Sequence, residues 1–136
     1  MEFKADFITR EGCLYSVLTD KINAPSLDGR RTILSNHMPI LLPIQKGVIE
    51  TSYLDKSTYY VVDDGVIHFE DNHANILISN VIPVTEINIE EVNKNIDVTT
   101  KAIEVEENQY RLNGFKKDLA WFKTLVNAYN RFILNK

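Results

Sequence analysis

The sequence predicts an α+β protein with the β part first: an antiparallel β-sandwich over residues 1–85, then a two-helix hairpin over residues 86–136. A change of hydrophobic period carries this reading. Up to about Thr85, apolar residues come in short runs with a period of two, divided by turn residues at regular spacing. From about Glu86 they recur at three- and four-residue steps. The composition, 44% hydrophobic and 25% charged over 136 residues, is that of a globular chain and not a disordered one.

The elements follow in order. Phe3, Ala5 and Phe7 alternate with Lys4 and Asp6, and Glu11-Gly12 is a turn signal. Leu14 to Ala24 reads as a second strand closed by Pro25. Val48 to Leu54 and Thr58 to Val62 flank Asp55-Lys56-Ser57 as a hairpin. After Asp63-Asp64-Gly65 come the strand Val66 to Phe69, a polar turn at Asp71-Asn72-His73, and the strand Ile76-Leu77-Ile78 near Pro83. Ile89, Val92, Ile96 and Ile103 share one helical face, predicting a first helix over 89–107. Asn113-Gly114 predicts a loop over 108–114. Phe115, Leu119, Phe122, Val126, Tyr129 and Ile133 then form a seam of the coiled-coil kind, predicting a second helix over 115–134. Ala120, Trp121, Leu125, Ala128 and Phe132 lie off that seam. One partner helix covers one stripe, so this excess is either buried against the sandwich or offered to another protein.

Charge and composition exclude several functions. No run of about 18 apolar residues is present, so no transmembrane helix is expected. The N-terminus lacks the basic start and apolar stretch of a signal peptide. Cys13 is the single cysteine, which rules out an internal disulfide and fits a reducing compartment. A net charge of −4 argues against nucleic acid as a partner. Residues 86–107 hold two Lys/Arg against seven Asp/Glu, and residues 108–136 hold six against one. Two helices of such opposite charge attract when side by side, though each solvated pair contributes little.

The segment from Ala24 to Leu42 resembles the signature of the ε subunit of rotary F-type ATP synthases. That family has a Pro-Gly-rich turn, then Gly-Ile-Leu-Pro-x-His-x-Pro-Leu-Leu, then a stretch ending in Gly-Val. Pro25, Gly29, Ile33, Leu34, Asn36, His37, Pro39, Leu41 and Gly47-Val48 fall in register with it. Val62 to Val66 sits where the family has a double-glycine bulge, and the strand at Ile76 and the helical tail follow at matching distances. The resemblance implies a non-catalytic rotor subunit without cofactor or metal, peripheral on the cytoplasmic face of a bacterial membrane. Its sandwich would dock on the foot of a γ-like shaft and on the c ring. Its hairpin would lie folded or extend toward the catalytic head, where basic residues of the second helix meet acidic β-subunit loops and restrain hydrolysis. Departures from the pattern are Ser26 and Thr32 for two glycines, Ser35 for the proline, Asp64 for the first bulge glycine, and Arg30 where many members carry an acid near the c-ring contact. These bear on ring docking and leave room for a diverged F-type-like motor. The family's ATP-sensing motif, Ile-Asp-x-x-Arg-Ala, would fall at Ile87 to Val92, but its aspartate, arginine and alanine are missing. No ATP binding by this subunit is expected.

Individual residues add little to an enzyme reading. His37 reads as a loop histidine with a local hydrogen bond or a partner contact, and His68 and His73 have no metal-motif spacing with it. Cys13 lacks a basic neighbour, so a packing role is expected. Asp63 and Asp64 read as turn formers. In the run Met38 to Ile44, two prolines argue against a central strand. That run either plugs an end of the sandwich or presents Met38, Ile40 and Leu42, with Arg30 and His37 nearby, to a γ-like partner. Lys116, Lys117, Lys123 and Arg131 are the basic residues of the second helix. They form a solvated face, contact acidic loops of the head, or pair with Glu104, Glu106 and Glu107 across the hairpin. A reading of another class is a free-standing sandwich module that dimerises through the Phe115–Ile133 seam.

Overall fold

A computed structural model describes residues 1–134, so the last two positions of the expected hairpin, 135 and 136, lie outside the described residues. The chain divides into two compact units, Met1–Pro83 and a second beginning at Val84.

The first unit holds ten strands: β1 Phe3–Thr9, β2 Gly12–Thr19, β3 Lys21–Ser26, β4 Gly29–Leu34, β5 Ile40–Ile44, β6 Gly47–Tyr53, β7 Lys56–Val62, β8 Gly65–Glu70, β9 His73–Ile78 and β10 Val81–Pro83. Their hydrogen bonds form one continuous path, β10-β7-β6-β3-β5-β8-β9-β1-β2, with β4 on the other side of β3. The path folds over where β3 and β5 meet at the single pair Ser26 and Ile44. The layer β4-β3-β6-β7-β10 thus faces the layer β5-β8-β9-β1-β2, the sandwich expected from the period-two pattern. All ladders are antiparallel except β1 with β9, which is parallel.

The stretch read as one strand from Leu14 to Ala24 is two. It breaks at Asp20, where the chain passes from one layer to the other. The corner is stable because the buried Thr19 hydroxyl donates to Lys21 O at 2.7 Å and Ser52 O at 3.0 Å, and accepts from Ser52 N at 3.1 Å. Such pairing removes the cost of an orphaned hydroxyl in the core. Among the described residues no buried side-chain nitrogen or oxygen lacks a hydrogen-bond partner. The run with two prolines does form a strand, β5. It is bonded along its length to β8 alone, so the amide missing at Pro43 leaves no ladder incomplete on its other edge.

The core follows from alternation. Phe3, Ala5 and Phe7 of β1, Ile67 and Phe69 of β8, and Ala74, Ile76 and Ile78 of β9 meet Ile22, Ala24, Ile49, Tyr60 and Val62 of the other layer. Phe7 and Tyr60 join the layers with ring centroids 4.4 Å apart, and Phe3 meets Phe69 edge to face at 5.2 Å.

In the second unit a 3-10 turn at Val84–Glu86 leads to α1, Ile89–Val105, and α2, Gln109–Tyr129, which continues as a π-helical turn over Asn130–Leu134. Asn88 caps α1, its side chain accepting from Glu91 N at 3.1 Å, and Glu90 and Glu91 complement the positive end of the helix. The connection is shorter than expected. Asn108 accepts from Tyr110 N at 3.0 Å and Arg111 N at 3.1 Å, and so starts α2 six residues before the expected Phe115. Asn113 and Gly114 are therefore helical and not a turn. The cap outweighs the glycine cost, roughly 1 kcal/mol. Leu125 and Ala128 are the buried residues of α2, whereas Phe115, Leu119, Phe122, Val126 and Tyr129 of the expected seam are half-buried. Its last member, Ile133, is half-buried in the π-helical turn.

Candidate docking surface

The signature segment folds as the β3–β4 hairpin, a loop over residues 35–39, β5 and the start of β6. Pro25 and Gly47 touch in it. A Cβ on Gly47 would come within 3.1 Å of the proline ring, and Gln45 N donates to Pro25 O at 2.9 Å. Gly29, with φ of 103°, supplies the left-handed position in the β3–β4 turn.

Arg30 is exposed, but its guanidinium is engaged within the sandwich. It donates to the side chain and carbonyl of Asn23 on β3 and, at 2.8 Å, to Val48 O on β6. The side chain named for a c-ring contact thus straps β4 to β3 and to β6 beyond it. His37 is half-buried. Its Nδ1 lies 2.7 Å from Met38 O and its ring stands edge-on to Phe69 at 6.1 Å. Met38 is 72% exposed.

The other two members of the expected interface point inward. Leu42 is a core residue and Ile40 packs against the core. Alternation along β5 turns Leu41 outward instead, at 67% exposure. The residues that the sequence reading offered to a partner on this strand, Ile40 and Leu42, thus face the core, and Leu41 faces outward.

Register shows what surrounds Leu41. On the outer face of β5-β8-β9-β1, Pro43 pairs with Val66, Val66 with Leu77, and Leu77 with Ile8. This is an apolar row crossing four strands, and Leu77 in it is 43% exposed. Next to it runs a row that begins at apolar Leu41 and continues through polar His68, Asn75, Asp6 and Ser16. His73 Nε2 donates to Asp6 at 2.9 Å and Ser16 Oγ donates to the same carboxylate at 2.5 Å. Partial burial by itself raises the Asp6 carboxyl. The hydrogen bonds from Ser16 and His73 and the charges of His73 and Lys4 together hold it below the usual carboxylate range. Mixed apolar and polar rows on an open sheet face are the anatomy of a protein interface. The sequence alone did not single out Ile8, Val66 or Leu77.

The remaining candidates carry no chemistry. Asp64 accepts from Lys46 N at 2.8 Å and Asp63 lies 3.8 Å from the Lys46 ammonium, so this acidic pair organises a turn. His68 faces Glu70 at 3.2 Å. Cys13, expected to pack, is exposed on β2, an end strand of the sheet. No group of His, Cys, Asp and Glu among the described residues could hold a metal ion. Lys116, Lys117, Lys123 and Arg131 are exposed, and among the described residues none pairs with Glu104, Glu106 or Glu107. The early start of α2 explains this. It carries Lys116 about two turns beyond the helix start, past the acidic end of α1.

Residues 2–84 match the family described as ATP synthase, Delta/Epsilon chain, beta-sandwich domain. The chain belongs to this family. Among similar delta/epsilon proteins are the ATP synthase epsilon chains of Hydrogenobaculum sp. (strain Y04AAS1) and of Rhizobium etli. The first is 26% identical over 95% of this chain and 94% of its own length. The second is 26% identical over 91% and 95%. A chain in the structure of the Euglena gracilis mitochondrial ATP synthase, OSCP/F1/c-ring in rotational state 1, has the same fold, with a TM-score of 0.72 at 18% identity over 93% of this chain and 81% of that one. This delta/epsilon protein is a non-catalytic subunit of the F-type ATP synthase rotor stalk. No helix among its described residues is long and apolar enough to cross a membrane.

Proposed function

We propose that the sandwich docks on the foot of a γ-like shaft through the outer face of β5-β8-β9-β1 and the loop bearing His37 and Met38. The observation that carries this reading is the apolar row in which Pro43 and Leu77 are exposed, together with exposed Leu41 and Met38, on a layer whose opposite face forms the core. A solvent-facing sheet surface normally alternates to polar residues, so leucines at these positions favour a partner. The assembly works at the cytoplasmic face of a membrane, where the shaft foot meets a c ring. Ring contact is the weaker part, because the Arg30 guanidinium is bound to Asn23 and Val48. The hairpin is the regulatory element, and the exposed Lys116, Lys117, Lys123 and Arg131 are its means of meeting acidic loops of the catalytic head.

The test replaces Leu77 by Glu in the full chain and measures binding to the purified shaft subunit from the same cell. Binding falls at least about tenfold while the melting temperature stays within about 2 °C, as expected for a side chain nearly half exposed. Undiminished binding would remove this face from the interface. Dimerisation through the helical seam is not favoured, because Phe115, Leu119, Phe122 and Val126 are already partly covered within one chain.

A further inference from the structure

The loop over residues 35–39 has no strand partner, yet Asn36 holds a left-handed backbone with φ of 66°. Its own contacts are few: His37 N donates to Leu34 O at 3.1 Å, and Asn36 N donates to the side chain of Asn72 at 2.7 Å. Asn72 lies in the two-residue turn between β8 and β9, where Asp71 and Asn72 have φ of 53° and 57°. That pair of positive angles is what a tight type I′ hairpin turn requires, and Asn is among the residues that tolerate it.

We propose that Asn72 is a positioning residue for the docking loop, setting the placement of His37 and Met38 from outside the signature segment. One amide group ties three stretches of chain. Its Oδ1 accepts from Asn36 N at 2.7 Å and from Ser35 Oγ at 3.4 Å, and its Nδ2 donates to Glu2 O at 3.2 Å. The acceptor holds the loop, the donor holds Glu2, and both sit on a residue that tolerates positive φ. Aspartate lacks the donor, and glycine keeps only the backbone freedom. Among the described residues the loop has no other side-chain anchor of this kind, and Met38, two residues from Asn36, is 72% exposed. The inference rests on the shaft-docking reading for its consequence, while its geometry stands independently.

The test compares the full chain with Asn72→Gly and Asn72→Asp by amide hydrogen exchange, shaft binding and thermal melting. In Asn72→Gly the Asn36 amide exchanges about tenfold faster and shaft affinity drops several-fold, with Ala74 and Ile76 amides unchanged. Asn72→Asp retains Asn36 protection and most of the affinity, because it keeps the acceptor. Asn36 protection undiminished in Asn72→Gly overturns the proposal. So does loss of protection that extends equally into β1 and β9, since that is a purely structural role. If the unaltered chain fails to bind the shaft, the docking reading fails, and the exchange of Asn36 still decides whether Asn72 places the loop.

Discussion

The two units of this chain bury their apolar residues to different depths. In the sandwich, Phe7, Phe69, Ile22, Ile49, Ile67 and Ile76 are wholly removed from solvent. Among the described residues of the second unit, the buried apolar side chains are Val84, Ile87, Val92, Leu125 and Ala128, while Phe115, Leu119, Trp121 and Phe122 stay partly exposed. Burial stabilises at about 25 cal/mol per Å² of apolar surface, so the sandwich is held in one arrangement and the helices by a smaller margin. Such a contrast fits the proposed reading, in which the sandwich docks and the helical hairpin is the regulatory element.

The largest expected effect tests that difference directly. Phe69→Ala should cost the sandwich about 4 kcal/mol, whereas Phe115→Ala should cost about 1–2 kcal/mol, both read from urea unfolding. Equal costs would break the contrast. Gly65→Ala should cost about 3 kcal/mol in the same assay, because a Cβ there would lie 2.1 Å from the backbone oxygen of Leu77 and 2.7 Å from the Ile78 side chain on the paired strand. In the helices the sign reverses: Gly114→Ala should stabilise by about 1 kcal/mol, since its Cβ meets nothing within 4 Å. A destabilising result would return residues 113–114 to a turn.

Two smaller effects concern charge. The folded Asp6 carboxyl titrates below its unfolded counterpart, so its contribution is complete above about pH 4 and is lost as pH falls through the lower folded value. Asp6→Asn should flatten the acid limb of a stability–pH profile, and an unchanged acid limb would contradict this. Smallest of all, Lys116→Glu with Lys117→Glu should shift the melting temperature by less than about 1 °C, because neither lysine is ion-paired among the described residues. A large drop would restore the cross-hairpin pairing to the acids of α1.

What sequence reasoning could see follows the same division. Alternation in β1, β8 and β9 is strong because one face of each is wholly buried, so these strands were legible. β4 was not, since Arg30, Arg31 and Thr32 leave only Ile33 to mark an inward position. The start of α2 was misplaced because Gly114 is a louder signal than Asn108, whose capping role shows only in its contacts to Tyr110 and Arg111. In the docking surface, the run Met38 to Ile44 was visibly apolar, but pairing with β8 decides that Leu42 faces in and Leu41 out. Asn72 was legible as a turn residue, but not as the anchor of a distant loop. Its partners stand 36 and 70 residues away, and only folding brings them together.

The most direct test of the central claim is affinity capture of the tagged full chain from its native cell, with copurifying proteins identified by mass spectrometry. The account predicts a γ-like shaft together with α- and β-type head subunits, released together by Leu77→Glu. Recovery of the chain alone, or as a homodimer, would contradict it.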